Sequence, residues 1–165
     1  MMLPDPLHPA VVHFPIVLLL VGAGVMVVAV FLRRWNLDWI AAVLLLMGAA
    51  GAWAAVETGE ASRELLGRLS GEALGLIDSH QEWGQKTGVV AIIAAMLAVL
   101  AALTRSIPKA WARPFGGGMS PAMQHGFRVI AAIAALVSCY FVYQTARRGG
   151  EAVYGHGVGV NASQT

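Results

Sequence analysis

The chain has 165 residues, of which 58% are hydrophobic and only 12% charged, with a formal net charge of +2. Soluble domains usually carry about 25% charged residues, so a water-exposed globule is excluded. The near-neutral balance, with basic residues beside apolar blocks and no aromatic ladder between them, excludes a nucleic-acid surface. The apolar residues fall into four blocks, each about 20 residues long, the length that crosses a bilayer as a helix. The expected fold is an all-α integral membrane four-helix bundle, a single domain over residues 1–165.

The first span is expected over 11–32. Pro9 suits a first helical turn, where a missing N–H costs nothing. Pro15, one turn further in, removes the bond to the Val11 carbonyl and predicts a kink or an unpaired carbonyl beside His13. Gly22 and Gly24 allow close helix contact. Asp5 precedes this block and Arg33 and Arg34 follow it, the pattern of a retained span with its N-terminus outside rather than of a cleaved leader.

The second span is expected over 39–56, its second half made of small residues around Trp53, which reads as tight packing near a membrane interface. Residues 57–85 form the longest polar section. Leu65, Leu66, Leu69, Leu74, Leu76 and Ile77 recur among its charges at helical spacing, which predicts an amphipathic helix on the membrane surface, broken near Ser70-Gly71; a solvated hairpin is the alternative. The third span is expected over 87–103, with Ser79 as a candidate N-cap. Pro108, Pro114 and Gly116-Gly-Gly118 make the next connection irregular. The fourth span is expected over 127–145, with Ala131, Ala132, Ala135 and Ser138 as a small-residue face. Gly149-Gly150 should end that helix, and the glycine-rich tail should turn back on the bundle.

Charge then sets orientation. Arg33, Arg34, Arg105, Lys109, Arg113 and Arg128 flank one side, where Asp38 is the lone acid; the other side carries the remaining acids. The positive-inside rule places both termini and residues 57–85 outside. This is the multi-pass topology of a bacterial inner membrane with periplasmic termini.

Orientation gathers the histidines. His8 and His13 lie at the outer end of span one, His80 at that of span three and His156 beyond that of span four, with Glu57 beside them at the end of span two; His125 alone is inside. Ionisable residues at a membrane-embedded position are costly and mark function, although a single interfacial histidine is ordinarily just hydrogen-bonded. His8 precedes a proline and is expected in extended chain, free to fold inward. Gly84 and Gly88, four and eight residues after His80, leave a smooth stripe on which a flat macrocycle could lie, or against which another helix could pack. Two chemistries fit. In one, His13 and His80 are the axial ligands of haem b, with His8 and His156 holding propionates, forming a second pair or orienting the first. In the other, His8, His13, His80, His156 and Glu57 hold zinc, copper or non-haem iron. His125 alone cannot supply an inner pair, which argues against a haem wire across the bilayer.

Other chemistry lacks support. Cys139 is the only cysteine, so neither an intrachain disulfide nor a Cys-x-x-Cys-His haem attachment exists. Gly116-Gly-Gly118 lacks the lysine–serine continuation of a phosphate loop. Ser62, Ser79 and Ser138 have no triad context, and no mid-span charge marks a transport path. Tyr140, Tyr143 and Gln144 read as an aromatic belt or as the lining of a quinone pocket.

At His8-Pro-Ala-Val-Val-His13-Phe-Pro-Ile, at Glu57-Thr-Gly59, at His80 and at Gly149-Gly-Glu-Ala-Val-Tyr-Gly-His156-Gly-Val-Gly-Val, the chain resembles the bacterial four-span membrane proteins of domain of unknown function 2231. The resemblance covers nearly the whole chain. It implies an association with redox proteins, since related domains occur beside cytochrome c or Rieske modules. It favours haem and electron transfer with a periplasmic cytochrome c or other redox protein. A homodimer and a structural subunit of a larger membrane complex are the other expectations.

Overall fold

A computed structural model describes residues 11–32, 36–65, 71–106 and 119–156. They form four helices: α1 (His13–Phe31), α2 (Leu37–Leu65), α3 (Gly71–Ser106) and α4 (Pro121–His156). α1 packs on α2 and α4, and α3 packs on α2 and α4, so the helices form an up-and-down ring with α1 and α3 across the diagonal. α1, with 19 residues, is about 28 Å long at ~1.5 Å per residue, close to the ~30 Å of a hydrocarbon core. Each of the four contains a segment long and apolar enough to cross a membrane.

α2, α3 and α4 outrun the expected spans because the polar flanks are rich in Ala, Leu, Glu, Gln and Arg, all good helix formers. The described part of section 57–85 is therefore carried by the last turns of α2 and the first turns of α3; of the expected break, Ser70 lies outside the described residues and Gly71 begins α3. α1 starts at His13 behind a turn at Val12, so Pro15 occupies a first-turn position where an N–H has no helical partner in any case, and it packs against Gly51. Two further local expectations are corrected. Ser79 lies inside α3 and caps nothing; its Oγ accepts a hydrogen bond from Arg148 Nε at 3.0 Å. Gly149 and Gly150 do not end α4, which continues to His156. The start of α4 is capped by Ser120, whose Oγ accepts from Met123 N at 3.2 Å, with Pro121 at the first helical position.

The interior is mostly alanine. Ala91, Ala94, Ala95, Ala98, Ala101 and Ala102 make one face of α3, and the expected small face of α4, Ala131, Ala132, Ala135 and Ser138, is buried. Leu19, Met26 and Leu45 are the largest fully buried apolar side chains. Small residues let helix backbones approach where no water drives them together. At the α1–α2 contact a Cβ on Gly22 would lie 3.0 Å from Leu45, and one on Gly48 2.8 Å from Leu19. Gly24, by contrast, faces away from its neighbours with nothing within 4 Å. The outer surface is apolar: Phe14, Val17, Leu20, Ile93, Met96, Ile133 and Leu136 are all exposed.

Candidate functional site

The up-and-down path puts His13, Glu57, His80 and His156 at one end of the bundle. At this end α3 and α4 are joined by a ladder of polar and aromatic contacts. Arg148 lies over the Trp83 ring at 4.2 Å while donating to Ser79, and Trp83 meets Phe141 at 5.4 Å between ring centroids. One level deeper, Thr87 Oγ1 and Thr145 Oγ1 are 2.8 Å apart and each is within hydrogen-bond reach of a carbonyl of its own helix; with one proton apiece, one hydroxyl donates to its carbonyl and accepts from the other. Across the α2–α3 contact, Gln81 and Gln85 both donate to Glu60 Oε1 at 3.1 Å.

His80 is half-buried in this ladder. Its Nδ1 lies 2.9 Å from the main-chain carbonyl of Thr145. A carbonyl only accepts, so Nδ1 carries a proton, and in the neutral ring the lone pair is on Nε2. The ring rests on the backbone of Gly149: a Cβ there would come within 2.9 Å of His80 Cε1 and 3.0 Å of Nδ1. This explains a glycine inside α4 at a position where the sequence predicts a helix stop.

The other expected site residues are placed differently. His13 is exposed in the first turn of α1, on the same face as Val17, Gly24 and Phe31, one to several turns below it; all three are exposed, Phe31 to 78%. That face is turned from the rest of the bundle, whereas His80 is turned against α4. Glu57 and His156 are exposed, and His8 lies outside the described residues. Among the described residues, no three His, Cys, Asp or Glu side chains come together as a metal-binding group. Of the expected glycine stripe, Gly88 is buried with its Cβ position 3.2 Å from the Trp53 ring, which helix packing explains, whereas Gly84 is half-buried with ordinary contacts at 3.9 Å to Val56 and Thr145.

The opposite end holds a feature that charge counting treats only as an orientation marker. Asp38, in the first turn of α2, is 2% exposed, and Arg128 of α4 is 1% exposed. Arg128 Nε donates to Asp38 Oδ1 at 2.7 Å and its Nη2 to Oδ2 at 3.2 Å. Arg105, in the last turn of α3, donates to the same Oδ2 at 3.2 Å. Three helices are thus tied through one carboxylate. Beside it Trp39 Nε1 donates to Ser106 Oγ at 2.9 Å. The signal available in the sequence was the lone acid Asp38 at the head of an apolar block, facing only basic connections; the 90-residue separation from Arg128 hid the pairing.

Four apolar helices around a small-residue core, with an apolar exterior, define a helical membrane bundle that contacts lipid. The profile of the DUF2231 family, described as predicted membrane protein, matches residues 4–162. The chain belongs to that family. Searches of curated proteins and of solved structures gave no match.

Proposed function

We propose that the protein is a membrane-bound b-type haem protein that passes electrons at its histidine-bearing end, with His80 as an axial ligand. The observation that supports this reading is the setting of His80. Metal-ligating histidines characteristically give their other ring N–H to a carbonyl or carboxylate, which fixes tautomer and ring orientation, and the Nδ1–Thr145 contact does this with Gly149 as the seat. A haem iron takes one or two imidazoles, whereas zinc or copper sites take three or four protein ligands. Zinc, copper or non-haem iron held by His8, His13, His80, His156 and Glu57 is the alternative. When bound, haem supplies a one-electron couple at the iron. The alanine interior leaves it no seat inside the bundle, so the fit is at the end of the helices, where α3 and α4 carry His80. Charge distribution supports periplasmic termini in a bacterial inner membrane, with a periplasmic cytochrome c or other redox protein as partner.

The alternative reading is a structural subunit of a larger membrane complex or a homodimer. The protein purified from a haem-replete host should show a Soret band that shifts on reduction, lost in His80→Ala and kept in His125→Ala. A colourless preparation without metal would sink the haem reading and leave the subunit.

A further inference from the structure

Arg128 is the starting point, and the inference is independent of the haem reading. Its side chain is 1% exposed, and its Nη1 is a buried nitrogen with no hydrogen-bond partner among the described residues. An unsatisfied buried donor costs about 1–3 kcal/mol, more when charged. The local charge is also unbalanced: two guanidiniums, Arg105 and Arg128, share the single carboxylate of Asp38, which leaves +1. No other acid is available in sequence at this end, where Arg33, Arg34, Lys109 and Arg113 add further positive charge. Arg128 and Asp38 neutralise each other in the buried pair, so the surplus charge lies on Arg105, whose side chain is 35% exposed at the edge of the cluster. One water molecule would satisfy the donor but leave the charge; a phosphate oxygen would supply both the acceptor and the negative charge.

The position fits such a group. The cluster lies where α2 begins, α3 ends and α4 enters its second turn, and the half-exposed Trp39 indole bonded to Ser106 marks the level of a membrane–water boundary. The Arg105 side chain is 35% exposed on the same carboxylate oxygen that Arg128 Nη2 uses, so it forms the mouth of the cluster. We propose that this end of the bundle binds a phosphate group, from an anionic lipid headgroup or from free phosphate, with Arg128 as the inner donor and Arg105 as the outer one.

The test is thermal unfolding and native mass spectrometry of the purified protein in neutral detergent, with phosphatidylglycerol, phosphatidylcholine or inorganic phosphate added. Phosphatidylglycerol should be retained and raise the midpoint while phosphatidylcholine does neither; if inorganic phosphate alone raises it, the source is free phosphate. Arg105→Gln should weaken retention about tenfold, the equivalent of ~1.4 kcal/mol, and Arg147→Gln, at the other end, should leave it unchanged. Arg128→Lys, which keeps the charge but removes Nη1, should weaken it as well; if that variant fails to fold, Arg105→Gln decides. Equal effects of the two lipids, no effect of phosphatidylglycerol or phosphate, or retention indifferent to Arg105→Gln would each overturn the proposal.

Discussion

The two ends of the bundle are held by different physics. At the histidine end, α3 and α4 are joined by many contacts of modest strength, from the Ser79–Arg148 hydrogen bond through His80 and Trp83 down to the Thr87–Thr145 pair. At the other end, α2, α3 and α4 converge on one carboxylate. Distributed contacts tolerate the loss of a member, so an end built this way can carry chemistry without being essential to the fold. A single buried ionic knot tolerates little, because each partner that remains is a desolvated charge.

Substitutions can break or sharpen this contrast. The largest effect is expected for Asp38→Ala, which leaves two guanidiniums facing each other, one of them buried: a loss of about 3–5 kcal/mol, read by chemical unfolding in micelles. Replacing Asp38 and Arg128 together by Leu and Met should recover most of that loss, and a double variant no better than Asp38→Ala would show that the knot is not the cause. Gly48→Ala, against Leu19, should cost about 1–3 kcal/mol by overpacking. Gly149→Ala should cost a similar or smaller amount but with a distinct signature, since it pushes His80 from the Thr145 carbonyl: any Soret band should weaken or shift along with the midpoint. Its neighbour is the control. A Cβ at Gly150 meets nothing within 4 Å, so Gly150→Ala should be neutral or stabilise by up to about 1 kcal/mol through helix propensity. If Gly149→Ala and Gly150→Ala behave alike, the seat of His80 has no structural meaning. Smallest of all, Lys86→Ala removes a salt bridge to Glu82 whose two side chains are 48% and 62% exposed, and the unfolding midpoint should not move measurably.

The span count and the small-residue faces were legible because they rest on composition and on the helical period, both local properties. Ala131, Ala135 and Ser138 could be assigned to an interface without knowing what lay opposite. What the sequence could not show was direction around a helix where two readings of a residue compete. Gly149 looks the same as a stop signal and as a notch for a ring, and only His80, 69 positions earlier, separates the two. Gly88 looks the same as a platform and as a socket for Trp53. His13 and His80 were correctly assigned to one end, but depth along a bundle follows from topology, whereas azimuth follows from which neighbours each helix acquires. The Asp38–Arg128 pair was missed for a related reason: residues that mark orientation by their charge can also be consumed by a partner, and nothing local distinguishes the two fates.

The alanine interior has one more effect. A methyl group has no rotamers to freeze and none to change, so these faces have no soft degree of freedom with which to absorb a disturbance. A bulkier residue at Ala98 or Ala135 cannot be met by a neighbour swinging aside; a whole helix has to slide or tilt. Mechanical strain introduced at either end of this molecule should therefore travel the length of a rod instead of fading within a turn.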